Sequence, residues 1–406
     1  MTTSAGSPLR LFARAYLVVA ATTAADGLIA LLFAPYLATR AISLDLIGLL
    51  LAAHGLAALA SRLPAGLLYR PQRARRLLVA ALGVASVAAG LLPQADHPLA
   101  FAMLRLASGA AFGVATTTSM ARFMDTLSPG VDRPRAMGYY SASLALGLTF
   151  GNGLAGFLGQ YLGYTVAFHT AAGFYAVGVL AALALPPVRA PAPATRTGAL
   201  SRGRLASLAA LARDPALVTI VLSAFLGAFM QMISGGFLPL YGLSIGLTLS
   251  EVGLVRVGTA LTNVVARSGA GVLAQRAGRR RVQHIGIVLQ ALGLMTLSVC
   301  GSLWTLALTM LWVAAWRAIV LVANTVGLTE DVDERRVGRG VAAGLFNAAI
   351  DLGNLASPAL GGYVAEQYGL ATMFRSLPVL VVTLYAVVHL GLAWWGRQAA
   401  RPRPAT

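Results

Sequence analysis

The sequence has no lysine, one cysteine and few charged residues. Because all 31 basic residues are arginine, Walker-type phosphate loops and lysine Schiff-base chemistry are excluded. Cys300 has no second cysteine with which to form a disulfide, and the five histidines form no metal-ligand pattern. Neither a metal nor a cofactor is therefore expected. Charged residues make up 11% of the chain, against about a quarter in soluble proteins, which excludes a large soluble domain.

Long apolar runs fill the sequence instead. Hydrophobic residues make up 58% of the chain, and the mean hydropathy is +0.75. About 20 apolar residues are needed to cross the roughly 30 Å hydrocarbon core of a bilayer. Stretches near this length predict helices at 12–36, 46–69, 77–94, 98–121, 137–160, 164–186, 215–240, 251–274, 283–301, 303–327, 341–363 and 370–396. The sequence thus predicts an all-α membrane protein with twelve transmembrane helices.

A segment rich in proline, alanine and arginine separates the first six helices from the last six. Such a composition is typical of a linker. We predict an N-terminal six-helix bundle over 1–186, a cytoplasmic linker over 187–214, a C-terminal six-helix bundle over 215–396 and a cytoplasmic tail over 397–406.

The arginines collect on alternate connections between the helices. The clusters are Arg10 with Arg14, then Arg70, Arg73, Arg75 and Arg76, then those of the linker, then Arg276, Arg279, Arg280 and Arg281, and finally Arg397, Arg401 and Arg403. Cytoplasmic loops carry an excess of basic residues, so we expect a multi-pass protein of the plasma membrane with both termini in the cytoplasm. Nucleic-acid binding is not expected, because the arginines do not share one soluble face.

The two sets of six helices carry repeated residues. Leu44, Gly48, Arg62 and Gly66 recur 205 positions later as Leu249, Gly253, Arg267 and Gly271. A second repeated segment pairs FGNGLAGFLGQY at 150–161 with LGNLASPALGGY at 352–363. Duplication in the same orientation predicts two parallel-repeat bundles about an axis along the membrane normal.

Four motifs resemble those of the major facilitator superfamily, and the resemblance covers essentially the whole chain. The basic loop after helix eight has Gly271, Arg276, Gly278, Arg279 and Arg280, with Gln275 where the family has an acid. The loop after helix two keeps Gly66 but has Arg70 at the acidic position. RLASGAAFG at 105–113 resembles the family's fourth-helix pattern. Helix five, with Gly147, Gly151, Gly153 and Gly156, resembles the glycine pattern of exporters, with Asn152 in place of proline.

The resemblance implies a secondary active transporter, and not an enzyme, that moves a small molecule by alternating access. It is closest in pattern to proton-coupled exporters of drugs or metabolites. The implied partners are a small-molecule substrate, a proton and the lipid bilayer, and we expect a monomer. Proton-coupled uptake is the alternative, and a channel or non-transporting receptor on this fold is a more distant one. GNGLAG at 151–156 matches a dinucleotide fingerprint, but no strand precedes it, so it predicts close helix packing.

Charged side chains within the bilayer mark candidate site residues, because each costs at least about 2.5 to 3.5 kcal/mol on insertion scales. Asp26 lies in helix one, and its repeat mate in helix seven is Gln231. The resemblance implies that these two helices face a central cavity, where the two side chains would meet. We predict that Asp26 binds a proton or a cationic substrate. The alternative is a structural acid paired with Arg105 or with a backbone group.

Other polar residues complete the predicted site. Asp351 shares a helix face with Asn347 and Asn354, as a cavity-facing patch or as hydrogen bonds between helices. Arg105 and Arg317 would neutralise the acids or an anionic substrate. His54 is a proton-relay candidate or a packing histidine, and Gln290 is a weaker polar candidate. Arg256 and Glu251, near the outer end of helix eight, are expected to form an interfacial pair or a gate.

The basic loops are also expected to close the cytoplasmic side. Closed and open states need two sets of contacts, and the repeated glycines and arginines would supply the inner set. The predicted latch consists of Arg62, Gly66, Arg267, Gly271, Arg276 and Arg279.

Overall fold

The computed structural model describes residues 8–127, 133–185, 215–330 and 339–399. Within these ranges it contains twelve α-helices, no strand, and one short 3₁₀ helix at Leu92–Gln94. The helices are α1 Pro8–Thr39, α2 Leu44–Leu68, α3 Ala74–Leu91, α4 Pro98–Asp125, α5 Arg133–Tyr161, α6 Gly163–Leu183, α7 Pro215–Ser244, α8 Leu249–Ala277, α9 Arg279–Leu297, α10 Leu303–Glu330, α11 Arg339–Tyr368 and α12 Leu370–Ala399. The linker and tail predicted from sequence lie outside the described residues, apart from the start of the tail within α12.

All twelve predicted helices are present, and most extend about one turn further than predicted. The prediction was wrong at the basic connection after α8, which we expected to be a loop. α8 continues to Ala277, Gly278 takes a φ of 84°, and α9 begins at Arg279. This left-handed conformation favours glycine, because other side chains clash there. Three arginines of the cluster therefore lie in the first turn of α9.

Nine of the described helices are long and apolar enough to cross a membrane by length and composition. The three outside this set are α8, α9 and α11. These helices carry many of the polar candidates, such as Arg256, Gln290 and Asp351. Their lower hydropathy is what a helix that buries polar groups against its neighbours is expected to show.

The described residues form two compact units. The first contains α1 to α6 with Gly235–Ala260 and Pro358–Tyr363, and the second contains 215–234, Leu261–Ser357 and 364–399. In the first unit, α1 packs against α5 and α6, α2 against α4, and α3 against α4 and α6. In the second unit, α9 packs against α10 and α12, as α3 packs against α4 and α6. The repeat seen in sequence is thus repeated in the packing.

Glycines allow the closest helix contacts in both units. A Cβ atom on Gly151 of α5 would lie 2.1 Å from the carbonyl oxygen of Ala24 in α1. A Cβ on Gly353, its repeat mate in α11, would lie 2.4 Å from the carbonyl oxygen of Phe225 in α7. Backbones this close leave no room for a side chain, as small residues do in membrane helix pairs. The prediction that the GNGLAG stretch serves helix packing is confirmed.

We expect Gly151→Ala to lower the thermal midpoint of the detergent-purified protein. The added methyl group would collide with the Ala24 carbonyl, and overpacking of this kind typically costs about 1–3 kcal/mol. Gly173→Ala is the matched control, since Gly173 is an exposed helical glycine with no atom within 4 Å of a Cβ. Its midpoint should stay level or rise slightly. Equal midpoints for the two variants would contradict the close α1–α5 contact.

Candidate functional site

The first unit brings α2 and α4 together beside the predicted arginine. A Cβ on Gly109 would lie 2.2 Å from the carbonyl oxygen of His54, and one on Gly113 would lie 2.4 Å from that of Ala58. Arg105 lies one turn before Gly109 on α4. The glycine spacing of the fourth-helix motif therefore fixes the height of Arg105 against the His54 segment of α2.

Asp26 and His54 form a carboxyl–imidazole pair inside this unit. The Asp26 Oδ1 atom lies 3.5 Å from His54 Nε2, and the two side chains are 22% and 14% exposed. The other ring nitrogen, Nδ1, lies 3.4 Å from the Oγ atom of Ser108 in α4. The imidazole also packs against the ring of Phe112. His54 thus connects an acid on α1 to a hydroxyl group on α4.

Arg105 is buried close to this pair without forming a direct ion pair. Its guanidinium carbon lies 4.6 Å from the centre of the Phe33 ring, and its Nε atom has no hydrogen-bond partner among the described residues. Within the described ranges the ion pair of Asp26 is with His54. Direct pairing with Arg105, one of the two structural partners considered from the sequence, is therefore wrong.

This cluster has the composition of a proton or cation site. Asp26 can take up a proton or face a cation, His54 can share a proton with it, and Arg105 balances the carboxylate charge. Burial strengthens these interactions, since little water is present to screen the charges. The hydroxyl group of Tyr175 in α6, near Asp26 and Arg105, is buried without a hydrogen-bond partner among the described residues.

The second unit collects a different set of polar groups around a cavity. The cavity has a volume of about 120 Å³, and its polar lining residues are Ser223, Gln231, Gln290, Arg317 and Asn324. Sequence analysis singled out Gln231, Arg317 and, more weakly, Gln290. Asp26 and Gln231 belong to different units, so their predicted meeting stays a prediction.

The polar residues of α11 keep their predicted spacing on one helix. Asn347 is exposed, whereas Asp351 and Asn354 are part-buried. Asn347 and Asp351 each have an interaction partner. Whether this patch faces a substrate stays a prediction.

The expected pair between Arg256 and Glu251 is wrong. Glu251 accepts hydrogen bonds from the backbone N–H and hydroxyl of Thr248, at 2.8 and 2.9 Å, and its own N–H donates to Thr248 Oγ1. This reciprocal arrangement is a capping box at the start of α8. Arg256 instead donates to the carbonyl oxygen of Gly235 in α7, at 2.7 Å.

Two matching contacts join helix ends within the first unit, and we call their four glycines the glycine seam: Gly48, Gly156, Gly253 and Gly362. A Cβ on Gly362 would lie 2.5 Å from the Leu44 carbonyl oxygen, and one on Gly156 would lie 2.6 Å from that of Leu249. Leu44 and Leu249 are repeat mates. These contacts lie at the ends of α2 and α8 away from the arginine clusters, which the sequence places outside the cytoplasm.

The predicted latch residues lie at the opposite ends of α2 and α8 and, for Arg279, at the start of α9. A Cβ on Gly66 or Gly271 would meet no atom within 4 Å. Arg267 and Arg276 are exposed, while Arg62 and Arg279 are part-buried and have interaction partners. Their role as a latch stays a prediction.

Sequence analysis missed several residues of these sites. Ser223 and Asn324 line the second-unit cavity, and Tyr175 lies by the Asp26 cluster. Asn324 follows Arg317 by seven residues, so the shared helix face could have indicated it. Gly362 of the glycine seam lies in the repeated segment 352–363, but the sequence analysis gave it no role.

The twelve helices of the described residues, with repeated packing and buried polar groups in each unit, are typical of a polytopic membrane protein built from two repeats. The sequence matches the Major Facilitator Superfamily over residues 15–255 and 220–406, and the chain belongs to this family. Family membership indicates a transporter and not an enzyme. The predicted family, fold class and multi-pass membrane location are thereby confirmed.

Several relatives share part or most of the chain. An uncharacterised MFS-type transporter of Methanocaldococcus jannaschii is 22% identical over 371 residues, which cover 90% of this chain and 93% of the relative. The riboflavin transporter RibZ of Clostridioides difficile is 22% identical over 165 residues, or 39% of this chain and 36% of RibZ. The quinolone resistance protein NorA of Staphylococcus aureus is 27% identical over 129 residues, or 32% of this chain and 33% of NorA.

Solved transporter structures share the fold. The nucleoside transporter NupG superimposes with a TM-score of 0.75 at 16% identity, covering 94% of this chain and 98% of NupG. A bacterial homolog of the human lysosomal transporter Spinster gives a TM-score of 0.76 at 16% identity, covering 98% of this chain and 100% of the homolog. At such identities the likeness concerns the fold alone.

We expect Gly156→Ala and Gly362→Ala to lower the thermal midpoint by similar amounts, because each methyl group would collide with a carbonyl oxygen at nearly the same distance. Gly138→Ala in α5 and Gly344→Ala in α11 are the matched controls on the same helices, since neither position has an atom within 4 Å of a Cβ. Midpoints of the purified variants would show this. A loss in only one of the two seam variants would argue against equivalent contacts.

Proposed function

We propose that this transporter exports a small molecule in exchange for protons, by alternating access. The observation that supports this most directly is the Asp26–His54 pair, 3.5 Å apart and largely buried, with Arg105 near it. An acid this deep in a membrane protein is costly and calls for a functional reason. A further part of the proposal is that the protein is a monomer of the plasma membrane with cytoplasmic termini.

Proton binding at Asp26 changes the charge balance of the first unit. With the carboxylate ionised, its charge offsets that of Arg105 and attracts a proton. With the carboxyl protonated, Arg105 is left without a compensating charge. The differential charge gives the two ligand states different preferences for the two conformations.

The direction of transport is inferred from weaker observations. The glycine face of α5 resembles the pattern of exporters, and Gly147 and Gly151 form its contacts with α1. NorA is named for quinolone resistance, and RibZ is named as a riboflavin transporter. A quinolone and riboflavin are therefore the first compounds to test. Proton-coupled uptake of a small metabolite is the alternative.

Asp26→Asn should abolish flux driven by a pH gradient in proteoliposomes while leaving the protein folded, because the amide cannot take up the coupling proton. Exchange of labelled compound across the membrane without a gradient should persist. The measurement is transport of riboflavin or a quinolone with the pH gradient imposed in either direction. The direction in which the gradient drives accumulation separates export from uptake.

Asp96→Asn is the control for Asp26→Asn, since Asp96 is an exposed acid in an ion pair with Arg40. It should transport like the unmodified protein. His54→Phe preserves a ring against Phe112 but removes the imidazole nitrogens, so it should slow gradient-driven flux without lowering the thermal midpoint. Full gradient-driven transport in Asp26→Asn would remove this residue from the mechanism.

We extend the proposal to the cytoplasmic latch. Arg267→Gln and Arg279→Gln should slow transport without reducing the amount of protein in the membrane, because each removes a charge expected to stabilise the closed inner side. Arg281→Gln is the control, as an exposed arginine of the same cluster without a latch role. Initial rates at equal protein levels test this, and unchanged rates in both latch variants would refute it.

A further inference from the structure

The second unit contains a buried carboxamide without a hydrogen-bond partner. Gln290 in α9 has no exposed surface, and neither its Nε2 nor its Oε1 has a partner among the described residues. Unpaired buried amides are destabilising, and those found in native proteins call for an explanation. An apolar side chain would suit this position better if the fold alone had to be satisfied.

Close packing on both sides fixes the height of Gln290 along α9. A Cβ on Gly286 would lie 2.4 Å from Val320 Cγ2, and one on Gly293 would lie 2.7 Å from Val313 Cγ2. Gln290 lies between these two contacts with α10. Gln290 therefore lies on the face of α9 that packs against α10.

Gln290 lines the cavity of the second unit together with a charged residue. On α10, Arg317 lies between Val313 and Val320, so it starts at the same level as Gln290. Both residues line the cavity of about 120 Å³. At its other end the hydroxyl of Ser223 donates to Asn324 Oδ1 at 3.1 Å, which orients that amide.

The size and polarity of the cavity indicate what it binds. Drug-sized ligands occupy pockets of about 300–1,000 Å³, so this cavity fits a head group only. A carboxamide offers a donor and an acceptor side by side, and a guanidinium offers only donors that suit a carboxylate. A ligand that satisfies both side chains carries a carboxylate for the guanidinium and, next to it, an amide N–H and C=O on one edge for the carboxamide.

We propose that this cavity is a substrate subsite for a small organic acid whose carboxylate is flanked by an amide N–H and C=O. The carboxylate binds Arg317, the ligand N–H donates to Gln290 Oε1, and the ligand carbonyl accepts from Gln290 Nε2. This assignment rests on the proposed transport function and adds the substrate class. It also explains why an amide without an internal partner is kept in the core.

The test compares two ring-shaped probes: 5-oxoproline, whose lactam holds its N–H and C=O on the same edge next to the carboxylate, and 5-oxotetrahydrofuran-2-carboxylate, in which a ring oxygen replaces the N–H. Binding to the detergent-purified full chain is measured by titration calorimetry. We expect the amide to bind at least about tenfold more tightly, because a site built for a hydrogen bond rejects the analogue that lacks it. In Gln290→Met this preference should disappear, and the thermal midpoint without ligand should stay level or rise.

Gln283→Met is the matched control. Gln283 is also buried in α9, but its Nε2 donates to the carbonyl oxygen of Thr219 at 3.5 Å, and it does not line the cavity. This variant should lose thermal stability and keep the probe preference. The opposite assignment of the two effects would show that Gln290 has a structural role.

The outcomes separate this proposal from the proposed proton coupling. Asp26→Asn should retain the probe preference, since Asp26 lies in the first unit. If Asp26→Asn loses gradient-driven transport but still prefers the amide probe, the subsite is supported, whichever ion drives transport. If the unmodified protein binds neither probe, or shows no preference, or if Gln290→Met keeps it, the subsite is overturned even where proton-driven export is found.

Discussion

Close approach of helix backbones at glycine is the constraint on which this structure depends. Lipid tails are as apolar as the side chains, so burying an apolar side chain between helices gives little hydrophobic stabilisation. Helix association therefore relies on packing contacts and interhelical hydrogen bonds. At Gly109, Gly151 and Gly353 a Cβ would lie less than 2.5 Å from a backbone carbonyl oxygen of the next helix. These contacts fix the register between helices, because sliding by one residue would bring a side chain against the neighbouring backbone.

The same contacts place the polar groups that we propose take part in transport. Gly109 sets Arg105 at a fixed height beside α2, near Asp26 and His54, and the close packing leaves the guanidinium over the Phe33 ring. In the second unit the glycines on either side of Gln290 do the same for its amide. In both places folding leaves polar atoms without a protein partner. Polar atoms that lack a hydrogen-bond partner within the protein are expected at functional sites, where a bound ligand supplies the missing partner.

The sequence predicted the helices well because lipid requires every spanning segment to satisfy its own backbone and cover it with apolar side chains. Helix ends were predicted less well, because hydropathy does not mark where a helix ends once it leaves the hydrocarbon core. The arginines after Gly278, which were expected in a loop and are helical, illustrate this. Asp26 and Arg105 were recognisable from the cost of a charge in the bilayer. Gln290 carries no charge, so its signal was weak.

Partners across helices were the least predictable feature. The Asp26–His54 pair depends on the register of α1, α2 and α4, which is set by glycine contacts between helices and not by spacing within one. The expected Arg256–Glu251 pair was wrong for a local reason. Thr248 supplies a hydroxyl and a free N–H at the first turn of α8, and Glu251 binds these two groups at no cost in helix geometry.

Coupling between the two sites requires a structural change that both ligands bias, because linkage acts only through a shared equilibrium. The proposed proton cluster lies in the first unit and the amide cavity in the second. Helices α7, α8 and α11 contribute residues to both units, and α7 passes from Gln231 at the cavity to Gly235 within one turn. The parts of α8 and α11 that belong to the first unit carry Gly253 and Gly362 of the glycine seam. Contacts between glycine backbones have no side chains that can adjust, so they are either made or broken, and this favours switching between two discrete states over gradual deformation.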